Sequence, residues 1–239
     1  KKSQWENRPA GSQERPNLMS APSKRPLVVF GGGKIAEVVM DELKEQGYQV
    51  AAVCVDSGYL HAVRIPGVSL VSLDDVTMLA PPATHDAFIA VGYQNLNDLR
   101  KNKVFEFSDL GYQLVAVGSV ANRTGKNTMI AKGSIMQSRA TVGSNSFVWS
   151  GAIVGHHSTI GEDCWVSSGA IISGNCIIED SCFIGVGAII THEVKIGARS
   201  MIGAGALVTR DVPPGSVLFP KPSTPSGMNS DDFNRLFPI

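Results

Sequence analysis

Residues 152–190, AIVGHHSTIGEDCWVSSGAIISGNCIIEDSCFIGVGAII, decide the fold, because an aliphatic residue returns at every sixth position. The same period extends in both directions, from residue 130 to residue 208, without a miss. The fourteen positions are Ile130, Met136, Val142, Val148, Val154, Ile160, Val166, Ile172, Ile178, Ile184, Ile190, Ile196, Ile202 and Val208. A hexapeptide period of this kind is typical of a parallel β-helix, in which three hexads form one triangular coil. Residues 18 apart are then expected to stack about 4.8 Å from one another.

A small residue precedes most of these aliphatic positions by two. The set is Ser134, Ala140, Ser146, Ala152, Ser158, Cys164, Ala170, Cys176, Cys182 and Ala188. This register predicts that three of the four cysteines are packing residues inside the coil. The cysteines, among them Cys54, have no CxxC spacing, and a disulfide framework is not expected in a chain of this length.

Turns between the hexads fall on three vertical edges of the predicted triangle. One edge has a glycine at every level: Gly133, Gly151, Gly169, Gly187 and Gly205. Two interpretations are compatible. The glycines serve a repeated turn that requires positive φ, or they keep the edge bare so that a ligand can approach the backbone.

A second edge collects all three histidines of the repeat region. Its corners are Ser138-Arg139, His156-His157, Gly174-Asn175, His192-Glu193 and Arg210-Asp211. The strand spacing puts His156 and His192 roughly 9–10 Å apart, with Gly174 between them.

These histidines admit three interpretations. Zinc would need ring nitrogens about 2.0–2.1 Å from the metal, but His156 and His157 are expected to point in different directions and His192 to lie too far away, so no metal site is predicted. An exposed corner histidine is also suited to general-base catalysis, with the N–H of Gly174 facing an oxyanion. The third interpretation is a polar corner without chemistry.

Ahead of the repeats, residues 26–120 have the pattern of a small α/β domain. Strands are predicted at 27–30, 49–56, 85–92 and 112–118, and helices at 34–47 and 95–111. Gly31-x-Gly33-x-x-Ala36, followed by Asp56, matches the fingerprint of a dinucleotide-binding turn. The unit spans roughly ninety residues, too few for a full two-half dinucleotide fold. We therefore favour nucleotide-sugar binding over NAD binding, with a structural turn as the remaining alternative.

Composition limits the partners. The 239 residues contain 21 Lys+Arg and 21 Asp+Glu, so no basic field is available for nucleic acid. No apolar run reaches the roughly 18 residues of a membrane span. Residues 1–25 are polar and have no apolar core of a signal peptide, so we expect a flexible arm and a cytoplasmic protein.

The repeats from "GHHSTIGEDCWVSSG" to "ALVTRDVPPGSV", behind a domain that opens with "LVVFGGGKIAEVV", resemble one family. This family is that of the bacterial nucleotide-sugar N-acyltransferases, which belong to the left-handed β-helix superfamily. Its members include UDP- and dTDP-4-amino-sugar N-acetyltransferases and sialic acid O-acetyltransferase-type proteins. The resemblance implies a left-handed coil at 125–212, a C-terminal tail at 213–239, and a homotrimer that binds acetyl-CoA between subunits. It also implies a role in glycan or lipopolysaccharide precursor synthesis.

The resemblance further implies roles for individual residues. His156 matches the catalytic base and Gly174 the oxyanion amide, while acyl-donor contacts fall on Trp165, Gly174, Gly187 and Gly205. Sugar-nucleotide contacts fall on Gly31, Gly33, Lys34, Asp56 and His157. His157 stands where the family often has an acidic residue that orients the catalytic ring. The alternatives are a sugar O-acetyltransferase, a β-helical zinc carbonic anhydrase and a non-catalytic nucleotide-sugar-binding protein.

Overall fold

The structure is a computed structural model that describes residues 25–118, 123–221, 223 and 227–236. The predicted arm at 1–25 lies outside this range except for Arg25. The described chain forms an α/β domain followed by a triangular coil of short strands.

The α/β domain is a five-stranded parallel sheet in the order β3-β2-β1-β4-β5. Its strands are β1 (Leu27–Phe30), β2 (Val50–Val55), β3 (Ser69–Ser72), β4 (Asp86–Ile89) and β5 (Gln113–Leu114), and its helices are α1 (Lys34–Glu45), α2 (Val76–Leu79) and α3 (Asp98–Asp109). The strand order reverses between β1 and β4. In open α/β sheets a ligand crevice is expected at this point, outside the carboxyl ends of the strands.

Fourteen two-residue strands make up the repeat region, and each ends on one of the sixth-position aliphatic residues. They are β6 (Met129–Ile130), β7 (Ile135–Met136), β8 (Thr141–Val142), β9 (Phe147–Val148), β10 (Ile153–Val154), β11 (Thr159–Ile160), β12 (Trp165–Val166), β13 (Ile171–Ile172), β14 (Ile177–Ile178), β15 (Phe183–Ile184), β16 (Ile189–Ile190), β17 (Lys195–Ile196), β18 (Met201–Ile202) and β19 (Leu207–Val208). Each strand pairs in parallel with the strand 18 residues away, as Ile153 does with Ile171. The predicted β-helix is confirmed.

The coil has three faces. We call the sheet of β6, β9, β12, β15, β18 and β20 (Val217–Leu218) the domain face, because the α/β domain packs on it. The sheet of β7, β10, β13, β16 and β19 is the aliphatic face, and the sheet of β8, β11, β14 and β17 is the mixed face. Pairing of β20 with β18 carries the coil past residue 212, where the sequence placed its end.

Small residues and aliphatic side chains fill the interior of the coil. Cys164, Cys176 and Cys182 are fully buried there, as predicted. The Cys164 thiol donates to the carbonyl of Glu179 at 3.2 Å, and burial raises the pKa of Cys164 well above its usual value. This cysteine is a protonated packing group rather than a reactive thiolate.

Corner residues adopt left-handed backbone conformations on every edge. The glycine edge has φ between 63° and 82°, which confirms the turn interpretation. On the histidine edge the same conformation is taken by His157, Asn175 and Glu193, with φ of 60°, 57° and 62°. A Cβ added at Gly187 or Gly205 would meet nothing within 4 Å, so the glycine edge is also bare.

Aromatic packing and one buried arginine join the α/β domain to the domain face. Phe88 of β4 packs on Phe147 with ring centroids 5.6 Å apart. Arg100 of α3 is fully buried; its Nε donates to Asn145 Oδ1 at 3.0 Å and its guanidinium lies 4.4 Å from the Phe147 ring centroid. Burial lowers the pKa of Arg100 to about 10, so the group stays charged at neutral pH.

α4 (Ser230–Leu236) follows the coil. Across the described ranges, the helices are too short or too polar for one to cross a membrane.

Candidate functional site

The histidine edge lies between the aliphatic face and the mixed face. β10 ends at Val154, the corner follows at His156-His157, and β11 begins at Thr159. Both histidine side chains are exposed. Because the α/β domain covers the third face, this edge is on the far side of the coil from that domain.

The His156 ring lies directly over Gly174. A Cβ added at Gly174 would approach His156 Cε1 and Nε2 to 2.6 Å, so only a residue without a side chain leaves room for the ring. On the other side of this glycine, the His192 ring centroid is 6.2 Å from that of His156. The rings are therefore closer than the roughly 9–10 Å expected from strand spacing, because both lean over the bare corner.

His157 is the partner of the His156 ring. The two Nδ1 atoms are 3.1 Å apart and the rings are nearly perpendicular, at 85°. For a hydrogen bond between them, one Nδ1 must carry a proton and donate, and the other must accept with its lone pair. When His156 Nδ1 donates, its Nε2 presents a lone pair above Gly174, which is the arrangement a general base requires.

The backbone N–H of Gly174 is free to bind a ligand. It makes no hydrogen bond to any part of the chain that the structure describes, although Gly174 itself is buried beneath the His156 ring. Nearly all buried backbone N–H groups are paired, so an unpaired one beside a candidate base is an available donor for an oxyanion.

His192 has polar neighbours of its own. Its Nε2 is 3.3 Å from Glu193 Oε1 and 3.4 Å from Asn175 Nδ2. Within the described ranges, no three His, Cys, Asp or Glu side chains are grouped so that they would hold a metal ion.

A second candidate site lies at the carboxyl ends of β1 and β2. It is a cavity of about 320 Å³ lined by Phe30, Gly31, Gly32, Gly33, Val55, Asp56, Tyr59 and Val63. Packing accounts for two of its glycines: an added Cβ would lie 2.6 Å from the carbonyl oxygen of Ala90 at Gly31 and 2.5 Å from Val63 at Gly32. Gly33, the residue before α1, faces open space. The helix N-terminus is therefore accessible to an anionic group such as phosphate.

The charged residues predicted for this turn already have partners. Asp56 Oδ1 accepts from Lys103 Nζ at 2.6 Å, which leaves its other oxygen for a ligand. Lys34 is exposed and pairs with Glu37 at 3.0 Å. The sequence analysis missed Lys103 and Tyr59, since a lysine 47 residues from its partner has no local signal.

Trp165 is buried between the α/β domain and the domain face. Its side chain is only 4% exposed, on the domain face, and its ring stacks on Phe147 with centroids 5.6 Å apart. Tyr93 from the α/β domain covers it at 5.2 Å. Docking of the first domain thus gives Trp165 a packing role, and its contact with the donor stays a prediction.

A model of the bacterial transferase hexapeptide family (six repeats) matches residues 157–192 and 175–210. Among curated proteins, no sequence matches.

Solved structures resemble both domains together. PerB from Caulobacter crescentus, in complex with CoA and GDP-perosamine, has a TM-score of 0.72 and 27% identity over 80% of this chain and 92% of its own. A perosamine N-acetyltransferase from the same organism with one histidine replaced by alanine, also with CoA and GDP-perosamine, gives 0.63 and 25% over 80% and 92%. The acetyltransferase domain of PglB from Neisseria gonorrhoeae FA1090 shares the fold, with a TM-score of 0.68 and 22% identity over 81% and 96%.

The matched repeats include His157, Gly174 and His192 of the histidine edge and begin one residue after His156, and the structural match to PerB covers 80% of this chain. Residues 157–210 therefore match the repeats of the bacterial transferase hexapeptide model, and the fold of the two domains together is similar to that of PerB.

Proposed function

We propose that the protein transfers an acetyl group from acetyl-CoA to the amine of a nucleotide-linked amino sugar. One observation carries the proposal: His156 Nε2 lies over Gly174, whose backbone N–H has no partner within the described residues. A base and a hydrogen-bond donor for an oxyanion are thereby held next to each other on an exposed edge. These are the two groups that direct acyl transfer to an amine requires.

The reaction follows from this arrangement. The sugar amine attacks the thioester carbonyl and forms the new N–C bond, while the Gly174 N–H stabilises the negative oxygen of the tetrahedral intermediate. His156 Nε2 accepts the proton from the nitrogen, and His157 Nδ1 keeps the ring in the tautomer that has this lone pair. The intermediate then collapses with loss of the CoA thiolate.

The cavity beside Gly33 is the proposed site for the nucleotide sugar. Its open helix N-terminus suits a diphosphate, and the free oxygen of Asp56 suits a ribose hydroxyl. The structural match to PerB, solved with CoA and GDP-perosamine, supports a substrate of this class. Since acetyl-CoA is the donor, we place the reaction in the cytoplasm, in the synthesis of glycan precursors.

Subunit assembly connects the two sites, because within one chain they lie on opposite sides of the coil. The aliphatic face has a column of outward-pointing residues, of which Ile135, Ile171, Ile189 and Leu207 are 37–64% exposed. This face separates the histidine edge from the glycine edge. A second copy packed on it would close over both edges, and cyclic packing of this kind gives the proposed homotrimer. Gly187 and Gly205 would then border the groove for acetyl-CoA.

The decisive test is release of free thiol from acetyl-CoA with a panel of nucleotide-linked 4-amino sugars and their 4-hydroxy counterparts. Wild type should acetylate an amino sugar, and His156→Ala should lose about 10²-fold or more in kcat. His85→Gln, a histidine substitution at the opposite end of β4 from the glycine turn, should leave the rate unchanged. Turnover of the hydroxy sugars alone would favour an O-acetyltransferase. Absence of turnover and of CoA binding would overturn the proposal.

The trimer has a test of its own. Ile171→Glu should convert the assembly to monomers in sedimentation and abolish turnover, whereas Ile177→Glu, on the mixed face, should leave both unchanged. Both isoleucines are exposed and lie in two-residue strands, so they are a matched pair. A wild-type monomer with full activity would contradict the assembly.

A further inference from the structure

His192 faces the same bare corner as His156, from the C-terminal side. The two residues are on the same edge, two coils apart, and Gly174 is the residue between them. Their ring centroids are 6.2 Å apart and the planes are tilted by 55°. The unpaired N–H of Gly174 belongs to the floor between the two rings. The proposed transfer uses His156 and Gly174 and gives His192 no role.

The separation of the His156 and His192 rings suits a base and an acid that act on two atoms bonded to the same carbon. In the tetrahedral intermediate the amine nitrogen and the thioester sulfur are bonded to the same carbon, so a base at one and an acid at the other flank that carbon. Each proton transfer has a reach of about 2.6–3.2 Å from a ring nitrogen, so both rings have to border the place of that carbon. The two histidine rings border one corner, with their centroids 6.2 Å apart and the Gly174 N–H between them.

Two polar side chains contact the His192 ring through its Nε2. Its Nε2 lies 3.3 Å from the Glu193 carboxylate, and both side chains are more than half exposed, with values of 55% and 71%. When Nε2 carries a proton it donates to the Glu193 carboxylate, and Nδ1 is then the second nitrogen of the ring. Asn175 Nδ2, from the previous coil, lies 3.4 Å from the same nitrogen and can donate to it only when Nε2 is unprotonated. Glu193 lies beside His192, His156 lies across the corner, and Arg210-Asp211 form the next corner of the same edge.

From these observations we infer that His192 is the general acid of the transfer and protonates the departing sulfur of CoA; the inference rests on the proposed function. As the C–S bond breaks, its electron pair stays on sulfur, and sulfur takes the proton from the His192 imidazolium. His156 meanwhile holds the proton taken from the amine. Loss of that proton from His156 and uptake of one by His192 restore the starting state, so protons and electrons balance.

The test compares His192→Gln with wild type at neutral pH, with acetyl-CoA and the accepted amino sugar. His192→Gln should lower kcat by about 10²-fold. Glu193→Gln should lower kcat by less, because the His192 ring itself remains.

A leaving-group comparison separates catalysis from structure. S-phenyl thioacetate releases a more acidic thiol that departs without a proton, so His192→Gln should approach the wild-type rate with this donor. An equal loss with both donors would overturn the inference. Wild-type turnover with undiminished His192→Gln activity would also overturn it and leave the proposed function intact. A wild type without any turnover refutes the proposed function itself.

Discussion

His156 and His157 form a hydrogen-bonded pair through their Nδ1 atoms, 3.1 Å apart and with rings at 85°. His157 thus contacts the His156 ring from the position at which the resembled family often has an acidic residue. Its backbone is in the left-handed conformation, with φ of 60°.

Replacement of His157 should therefore impair turnover more than binding. In His157→Ala the His156 ring loses the acceptor that holds its proton on Nδ1, so we expect kcat to fall by roughly tenfold to 10² with KM unchanged. His157→Asn keeps an acceptor oxygen and should recover most of the rate. Steady-state kinetics at fixed pH measure the difference. Equal kcat in wild type and His157→Ala would show that the pair has no catalytic role.

Gly174→Ala should abolish activity without unfolding the coil. The added Cβ would meet the His156 ring at 2.6 Å, and the ring, being the free end of a side chain, would rotate away. We expect kcat to fall by about 10²-fold, with thermal unfolding close to wild type. Ser138→Ala, at the equivalent corner one coil before His156, is the control and should retain full activity. A wild-type kcat in Gly174→Ala would contradict the placement of the His156 ring.

Trp165→Ala should destabilise the protein and leave donor binding intact. Because the ring is buried between the domains, its removal is expected to cost about 3–5 kcal/mol of unfolding free energy. Phe105→Ala, an exposed aromatic residue on α3, should cost far less. Urea denaturation gives the stabilities and initial rates give the KM for acetyl-CoA. A raised KM in folded Trp165→Ala would restore the donor-contact interpretation.

The ion pair between Asp98 and Arg199 should stabilise domain docking in a pH-dependent way. Hydrogen bonding from Arg199 lowers the pKa of Asp98 below its usual value. A lowered carboxyl pKa gives stability that is present at neutral pH and is lost as pH falls through the folded-state pKa. Arg199→Gln should thus be slightly less stable than wild type at pH 7 and equal to it in acid. A stability difference that persists in acid would assign the effect to packing.

The hexad period predicted all fourteen strands of the repeat region because each strand is specified locally. An inward aliphatic residue at Ile160 or Ile184 and a small residue two positions earlier are enough to define the coil. By contrast, β3 and α2 were not predicted. Each has four residues and little periodicity of its own, and β3 exists because Ala52 and Val53 offer it a parallel edge.

Candidate site residues were predictable where the 18-residue period alone places them. It put His156, Gly174 and His192 on one edge. It did not reveal that the rings converge to 6.2 Å or that His157 pairs with His156, because side-chain rotamers decide both. The burial of Trp165 depends on the docking of a separate domain, which no local pattern in the repeats records.

The stacking of residues 18 apart has a consequence for how such a chain tolerates insertions and deletions. Adding or removing a whole coil would lengthen or shorten the protein while leaving each downstream corner on its own edge. An insertion or deletion of six residues would keep every aliphatic side chain inside the coil. It would, however, move each later corner to the next edge of the triangle. A single hexad lost between His156 and Gly174 would thus leave a well-packed coil whose base and oxyanion donor no longer meet. Packing of the core therefore requires only that the six-residue repeat is kept, whereas assembly of the site requires that the eighteen-residue repeat is kept.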